Sequence, residues 1–257
     1  MTRNNYMICS TVRSGSTLLC KTLETLDGFG HPEEYFHRHR LKTLTLNDSA
    51  DDFLQYCHSI FTQDTLNRFG SKMHWWQLID FLALARQLPK FREKEDLDIL
   101  NTIFPNLRFI YLRRRNVVSQ AISAAIASQT GQWEKGSHSK PSKPVKFQPW
   151  KIYEWERSLN EQNHCWQMFF HNNGLDYFEI TYEELVDSFS KGITNVINYI
   201  DDEQNQPATS LTMPTQQQSN VTNQRFAIYY KLIPKPLNYS LYRLYRQLKP
   251  VPYGEAS

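Results

Sequence analysis

Short apolar runs alternate with amphipathic segments along most of this chain. Residues 6–10 form one such run, and the hydroxyl-rich residues 11–17 separate it from a segment with leucines at 19, 23 and 26. Spacings of four and three residues place these leucines on one face of a helix. The pattern therefore predicts a strand, a loop and a helix, in that order.

The same alternation continues beyond the first helix. Apolar runs predict strands, and periodic segments predict helices, with Asn116 as an N-cap residue. The predicted strands cover 71–75, 106–112 and 177–182, and the predicted helices cover 51–60, 76–88, 117–128, 150–172 and 183–200. Strands and helices that alternate at this length indicate an α/β fold with a central, mostly parallel sheet.

Composition limits the classes of partner. The net charge of +3 is too small to indicate a nucleic-acid binder, although it suits an anionic small ligand. The four cysteines (Cys9, Cys20, Cys57 and Cys165) include no Cys-x-x-Cys pair, so we expect no zinc cluster and no metal site.

The C-terminal region differs in composition from the rest of the chain. We predict a main domain over residues 1–224 and a basic, tyrosine-rich extension over 225–257. Residues 225–254 carry six lysines and arginines and no acidic residue. The extension could contact a membrane surface that carries a glycolipid, or it could be a packing extension with a solvated face.

Two further features concern location in the cell. The first residues do not show a basic segment followed by an apolar one, and no apolar stretch is long enough to span a bilayer. We therefore expect a cytoplasmic protein, with a peripheral contact to the inner face of the membrane as an open alternative.

The loop after the first predicted strand has the residues of a phosphate site. Backbone N–H groups around Ser14–Thr17 and the dipole of the next helix would bind a phosphate, and Arg13 could donate two hydrogen bonds to it. A nucleotide P-loop ends in Gly-Lys-Ser/Thr, but here Ser16 follows Gly15. The alternative is an ordinary turn with a surface arginine.

Three consecutive arginines, Arg113, Arg114 and Arg115, follow a predicted strand and open a helix. This edge of an open α/β sheet is where ligands bind. Ser123 lies two helical turns after Arg115, roughly on the same side, so the two could hold a second phosphate. The alternative is a solvated basic cluster. Two separate anion sites would indicate a nucleotide phosphorylated at both ends.

A pair of carboxylates, Glu33 and Glu34, precedes two aromatic residues. A glutamate near apolar rings can have its pKa raised toward neutrality and act as a general base. The alternative is an acidic pair at a helix N-terminus, with no catalytic role.

Taken in order, these motifs resemble the bacterial trehalose 2-sulfotransferase-like family of sulfotransferases. The resemblance covers roughly residues 5–230. It rests on Tyr6–Lys21, Gly30–Phe36, Arg113–Ser123, Gln129–Trp133, Glu161–Trp166 and Tyr182–Leu185.

The resemblance implies a P-loop-like three-layer α/β fold and 3'-phosphoadenosine 5'-phosphosulfate as the sulfuryl donor. It implies that Arg115 and Ser123 hold the 3'-phosphate, with the register among the three arginines left open, and that Glu34 is the catalytic base. It also implies a homodimer. The residues that would hold the 5'-phosphosulfate are Arg13, Ser14, Gly15, Ser16 and Thr17.

The chemistry of these residues supports direct in-line transfer of a sulfuryl group to a hydroxyl of a carbohydrate or glycolipid. Arg13 would stabilise the transferring group, and Glu34 would take the proton of the acceptor. The alternatives are an ATP-dependent small-molecule kinase and a non-catalytic module that binds a nucleotide. The identity of the acceptor is left open.

Overall fold

The computed structural model describes residues 4–45, 50–62, 68–133, 144–201, 213 and 221–248. The strands of these ranges are β1 (Asn5–Ser10), β2 (Gly70–His74), β3 (Leu107–Arg113) and β4 (Tyr177–Thr181). The helices are α1 (Ser16–Glu24), α2 (Arg38–Thr45), α3 (Ala50–Thr62), α4 (Trp75–Ala85), α5 (Asp96–Ile103), α6 (Val117–Thr130), α7 (Pro149–Asn172), α8 (Tyr182–Asp187), α9 (Phe189–Ile200), α10 (Val221–Leu232) and α11 (Lys235–Leu248). A short 3-10 helix at Pro89–Phe91 follows α4.

The four strands form one parallel sheet in the order β2-β1-β3-β4. The predicted α/β fold with a central parallel sheet is therefore confirmed. Because all four strands run in the same direction, their last residues lie along one edge of the sheet. In strand order across the sheet, these are His74, Ser10, Arg113 and Thr181.

Each face of the sheet carries a hydrophobic cluster, which gives the fold three layers. Alternate residues of β1 point to opposite faces: Met7 and Cys9 join one cluster, and Tyr6 and Ile8 join the other. The first cluster is packed with aromatic rings, and the second with aliphatic side chains of α1 and α9. A strand that is buried on both faces, like β1, reads as an unbroken apolar run.

The chain divides into two compact units. The first consists of Met1–Arg115 with Gln162–Thr215, and it contains the sheet and both clusters. The second consists of Asn116–Glu161 with Gln216–Ser257. Within the second unit, Tyr230 is buried and donates a hydrogen bond to Glu156 Oε2 at 2.7 Å.

The predicted C-terminal extension is helical where the structure describes it, since α10 and α11 cover most of it. Helix α10 runs through residue 224, and the domain boundary there stays a prediction. Within the described residues, no helix combines the length and the hydropathy needed for a bilayer crossing.

Two details of the predicted elements are wrong. The single helix predicted over 183–200 is two helices, α8 and α9, because Ser188 has a non-helical backbone (φ −136°, ψ 57°). Helices α2 and α5 were not predicted. From its glycines, prolines and lysines, the stretch 131–149 is predicted to be a loop, and the stretch 203–223, rich in Gln, Asn, Thr and Pro, is predicted to be another. Residues 134–143 of the first and most of the second lie outside the described residues.

A glycine in the sheet provides a test of this packing. A Cβ atom at Gly70 would collide with the ring of Tyr6, which is fully buried. We expect Gly70→Ala to lower the free energy of unfolding by about 1–3 kcal/mol, measured by urea denaturation. Tyr6→Leu should remove the collision, so the double variant should lose less than the sum of the two single variants. Simple additivity would contradict this cause.

Candidate active site

The loop between β1 and α1 contains two residues in the left-handed region. Arg13 has φ 62° and Gly15 has φ 94°. A left-handed conformation costs a residue with a side chain about 1–2 kcal/mol, so Arg13 is held there by its surroundings. Such loops turn backbone N–H groups toward one point and form an anion-binding concavity ahead of the next helix.

Gly15 is required for a second reason, which is its contact with Tyr182. A Cβ atom at position 15 would collide with the Tyr182 ring. The first residue of α8 therefore forms a wall of the loop. The Arg114 guanidinium lies over the ring of Tyr182, 4.9 Å from the ring centroid, in a cation–π contact. Tyr182 thus links the loop to the arginine segment after β3.

Ser14 supplies an observation that points to a ligand. Its side chain is buried, and its Oγ has no hydrogen-bond partner within the described structure. A buried hydroxyl without a partner is costly, and native proteins rarely keep one without a reason. An anion oxygen in the loop would accept this hydrogen bond. After Gly15, helix α1 begins with Ser16, which is buried, and Thr17, which is half-buried.

Glu34 lies beside this loop, and its carboxylate is paired on both oxygens. Lys72 Nζ is 2.6 Å from Glu34 Oε1, and Gln77 Nε2 donates to Glu34 Oε2 at 2.8 Å. His74 Nε2 is 3.7 Å from Glu34 Oε1. The Lys72 ammonium also donates to Thr17 Oγ1 at 3.4 Å, so one cation connects the loop with the carboxylate.

The backbone around Glu34 explains how the carboxylate is held in place. Tyr35 and Phe36 are buried in the first hydrophobic cluster. On the other side, the Lys72 backbone N–H donates to the Glu33 carbonyl at 2.9 Å, which attaches this segment to β2. The two aromatic rings that follow Glu34 therefore anchor its backbone and do not enclose its carboxylate.

The pKa of Glu34 is lower than the sequence predicted. Burial by itself would raise it, but the interactions with His74 and Lys72 and the hydrogen bonds from Lys72 and Gln77 lower the pKa to about 2. Burial lowers the pKa of His74 to about 4, so His74 is neutral near pH 7. Near pH 7 the charge beside Glu34 is therefore the Lys72 ammonium. The prediction of a raised pKa is wrong because His74, Lys72 and Gln77 together outweigh the effect of burial.

His74 orients the end of β2 through a buried network. Its Nδ1 lies 3.1 Å from Ser10 Oγ and 3.2 Å from the Ser10 carbonyl oxygen, and the tautomer of His74 sets which of the two it bonds. Trp166 Nε1 donates to the same carbonyl at 3.1 Å. The His74 backbone N–H donates to Gln77 Oε1 at 2.7 Å, which fixes the amide that binds Glu34.

Lys72, His74 and Gln77 were missed by the sequence analysis. Lys72 is only 5% exposed on a strand whose five residues are all buried. A lysine in such a strand is a signal, because lysine is almost never buried without a partner. The segment was interpreted only as a strand, and its partner Glu34 lies far from it in sequence.

The three arginines at the end of β3 have three different environments. Arg113 Nε pairs with Glu179 Oε1 at 2.5 Å, on the neighbouring strand β4. Arg114 is mostly buried against Tyr182, and burial lowers its pKa. The Arg115 side chain is 53% exposed, and it is the most exposed of the three.

Arg115 and Ser123 belong to different compact units. The backbone N–H of Arg115 donates to Glu183 Oε2 at 3.0 Å in the first unit. Ser123 is half-buried on α6 in the second unit. Their joint binding of a 3'-phosphate, and the register of the arginine, therefore stay predictions. The N-cap predicted for α6 is confirmed, since Asn116 accepts a hydrogen bond from the Ser119 N–H.

Within the described ranges, no group of three or more His, Cys, Asp or Glu side chains is arranged to hold a metal ion. The groups that converge at the loop are instead hydroxyls, backbone N–H groups and the ammonium of Lys72.

Comparison with known proteins gives the same family as the sequence motifs. The sequence profile of the Stf0 sulphotransferases matches residues 5–232, which is most of the chain. The chain belongs to the Stf0 sulphotransferase family. The family predicted from the sequence motifs is therefore confirmed, together with its P-loop-like α/β fold, and the chain is a member of a family of transferases.

One relative and two solved structures are similar to this Stf0 member. The chain is 27% identical over 244 residues to a trehalose 2-sulfotransferase of Mycobacterium tuberculosis (strain ATCC 35801 / TMC 107 / Erdman), covering 84% of this chain and 91% of the relative. A sulfotransferase from Alicyclobacillus acidocaldarius is 11% identical with a TM-score of 0.49, over 96% of this chain and 97% of that one. Mouse sulfotransferase SULT7A1, complexed with PAP, is 12% identical with a TM-score of 0.44, over 96% and 85%.

The Glu34 pKa predicts an acid-dependent loss of stability. The pKa is about 2 in the folded protein, below its ordinary value of 4.5. Ionised Glu34 therefore stabilises the fold above pH 4.5, and this contribution is lost as the pH falls toward 2. The shift corresponds to roughly 3 kcal/mol. In urea denaturation from pH 5 to 2.5, Glu34→Gln should lose less stability than the unmodified protein.

A neighbouring carboxylate provides the control for this experiment. Glu33 is half exposed and pairs with Arg40 on the surface. Glu33→Gln removes this surface carboxylate in the same way and is measured beside the other two proteins. Equal slopes for the Glu34→Gln variant and the unmodified protein would show that Glu34 does not titrate as described.

Proposed function

We propose that this Stf0 family member transfers a sulfuryl group from 3'-phosphoadenosine 5'-phosphosulfate to a hydroxyl of a carbohydrate or glycolipid. The observation that carries the proposal is the bridge formed by Lys72, which joins Thr17 of the loop to Glu34. It puts an ionised carboxylate next to an anion-binding loop. The relative named as a trehalose 2-sulfotransferase supports a carbohydrate acceptor.

The donor would bind with its 5'-phosphosulfate in the loop. The residues for this are Arg13, Ser14, Gly15, Ser16 and Thr17, through backbone N–H groups, the dipole of α1 and the unpartnered hydroxyl of Ser14. The 3'-phosphate would bind at Arg115 and Ser123. Arg115 suits this role because its side chain is the most exposed of the three arginines.

The reaction needs one base and a concentration of positive charge. The acceptor oxygen forms a bond to sulfur while the bond from sulfur to the phosphate oxygen breaks, which releases adenosine 3',5'-bisphosphate. Glu34 takes the proton of the acceptor hydroxyl. Negative charge develops on the phosphate oxygen that leaves, and Arg13 and Lys72 stabilise it.

Movement of Lys72 on donor binding would make Glu34 a stronger base. In the structure, the Lys72 ammonium is shared between Glu34 Oε1 and Thr17 Oγ1. A bound phosphosulfate would draw this ammonium toward the loop. Glu34 would then keep its burial but lose its main counter-charge, so its pKa would rise and proton transfer to it would become more favourable.

Two alternatives make different demands on the same residues. A kinase of the P-loop type needs a Gly-Lys step and a strand that ends in aspartate. Here Ser16 follows Gly15, and the described strands end in Ser10, His74, Arg113 and Thr181. A non-catalytic nucleotide-binding module would not need Glu34 at all.

The homodimer and the membrane contact of the C-terminal extension stay predictions. The homodimer has no direct support within the described residues. For the tail, α10 and α11 expose the apolar side chains of Val221, Ile228, Leu232, Leu237 and Leu244. Exposed apolar side chains of this kind are found where a protein contacts a membrane or another protein.

Calorimetric titration tests the donor. We expect adenosine 3',5'-bisphosphate to bind more tightly than ATP with magnesium, and labelled sulfate to pass from the donor to a sugar. Tight binding of ATP without a response to the bisphosphate would refute the sulfotransferase proposal.

The role of the base is tested by Glu34→Gln. Loss of a positioned base should lower kcat by about 10²- to 10⁴-fold. The dissociation constant for adenosine 3',5'-bisphosphate should change little. Glu33→Gln is the matched control and should keep normal turnover. Normal turnover by Glu34→Gln would instead favour another base or a binding module.

Arg115→Ala tests the 3'-phosphate site. Loss of a charge-assisted hydrogen bond of about 1.5–3 kcal/mol should weaken binding of adenosine 3',5'-bisphosphate by roughly 10- to 100-fold. Binding of adenosine 5'-phosphosulfate, which lacks the 3'-phosphate, should stay the same. Arg113→Ala is the control, since Arg113 Nε lies 2.5 Å from Glu179 Oε1, whereas Arg115 Nε lies 3.9 Å from Glu183 Oε2. If Arg113→Ala has the larger effect on the bisphosphate, the register is wrong.

A further inference from the structure

Helices α10 and α11 of the second unit expose a set of aliphatic side chains. We call Val221, Ile228 and Leu232 of α10, together with Leu237 and Leu244 of α11, the aliphatic face. Each of these five residues is between 50% and 76% exposed. Single apolar residues on a surface are ordinary, but a group on two consecutive helices marks a site of interaction.

Helix α11 packs on α7 through tyrosines. Asn238, Tyr242 and Tyr245 are spaced by four and three residues, so they lie on one side of the helix. The Tyr245 ring stacks on Trp150 of α7 at 5.9 Å, and the Tyr242 ring lies 5.6 Å from that of Tyr153. Asn238 is only 2% exposed. The side of α11 that packs within the unit is therefore aromatic and polar.

The leucines of α11 lie on the adjoining side of the helix. Leu237, Leu241 and Leu244 have the same spacing of four and three residues, but each precedes a residue of the packed side, which is a rotation of about 100°. If packing within the chain were the only requirement, leucines would be buried in preference to tyrosines, which carry a hydroxyl. The reverse arrangement indicates a second apolar surface, outside the chain, that contacts the leucines.

Helix α10 shows the same division into a packed side and an exposed side. Phe226 and Tyr230 are buried on one side. Val221, Ile228 and Leu232 are spaced by seven and four residues, which places them together on the opposite side. Only two residues separate α10 from α11, so the aliphatic face continues along the chain from one helix to the next.

The charges on these two helices are all positive. Residues 221–248 contain no Asp or Glu, and their cations are Arg225, Lys231, Lys235, Arg243 and Arg246. Among the described residues, Arg246 alone of these five forms an ion pair, with Nη1 3.8 Å from Glu154 Oε1. Cations and aliphatic side chains on the same helices are typical of helices that lie in the headgroup region of an anionic membrane. Lysine and arginine can extend from such a helix to the lipid phosphates.

The same charges disfavour a second copy of this chain as the occupant. A two-fold interface would set the aliphatic face of one copy against that of the other. The cations of both copies would then meet, and these helices have no carboxylate to compensate them. A lipid surface supplies both the apolar contact and the negative charge.

We propose that α10 and α11 bind the surface of an anionic phospholipid bilayer. The aliphatic face enters the boundary between headgroups and acyl chains, and the basic side chains pair with the lipid phosphates. This binding requires neither the sulfuryl donor nor the acceptor, so it is independent of the proposed function.

Sedimentation of the full chain with lipid vesicles tests the proposal. We expect binding to vesicles of equal parts phosphatidylglycerol and phosphatidylcholine, weakened by high salt, and little binding to phosphatidylcholine alone. The double variant Leu232→Gln, Leu244→Gln should lower the partition coefficient by roughly 10- to 100-fold. Lys231→Gln and Lys235→Gln should each lower it by about fivefold.

Matched controls lie outside these helices. Met168 on α7 is 41% exposed, and Lys191 on α9 is exposed. Met168→Gln and Lys191→Gln should leave the partition coefficient within about twofold of the unmodified value, because a local site does not include them. Circular dichroism and the melting temperature of each variant show whether it is folded, and no loss of either is expected for these exposed positions.

Hydrogen exchange locates the contact, since anionic vesicles should slow exchange within residues 221–248. Protection confined to other segments would overturn the proposal, as would an absence of binding to anionic vesicles at low salt. Vesicle binding that the double leucine variant does not reduce would also overturn it. If the unmodified protein ignores vesicles but self-associates, and the double variant does not, the aliphatic face is an interface between copies and the proposal is wrong.

Discussion

The ion pair between Lys72 and Glu34 is the constraint on which the candidate active site depends. Both charges are largely removed from water, so neither is tolerable without the other, and removal of one partner of such a pair typically costs about 3–5 kcal/mol. The pair requires β2 to lie beside β1, because only that register brings Lys72 next to the loop. It also requires the Glu34 segment to run along β2. The ion pair therefore depends on the order of the strands, and it holds the Glu34 carboxylate in its position.

The ion pair divides the surroundings of Glu34 into two sides with different electrostatics. On the loop side, backbone N–H groups, the dipole of α1 and Lys72 favour negative charge. On the side of α4, each of the cations Arg38 and Arg40 has its own carboxylate. The groups that favour a bound anion are therefore concentrated on the loop side of Glu34.

The sequence predicted the elements whose signals are local. The apolar run of β1, the loop around Gly15 and the N-cap at Asn116 are each contained in a few neighbouring residues, and the structure confirms these elements. The break between α8 and α9 was missed because the backbone of Ser188 has no distinct signature in sequence. The predicted direction of the Glu34 pKa shift was wrong for a different reason. Its partners Lys72 and Gln77 come from other elements, and a pattern of neighbouring residues does not show them.

The contact between Gly15 and Tyr182 has a consequence for how the protein is made. The loop lies near the start of the chain, but one of its walls is the ring of Tyr182, which follows the last strand of the sheet. During synthesis the N-terminal motif leaves the ribosome long before that wall exists. A nascent or truncated chain that ends before Tyr182 therefore contains the complete loop sequence but lacks one wall of the loop.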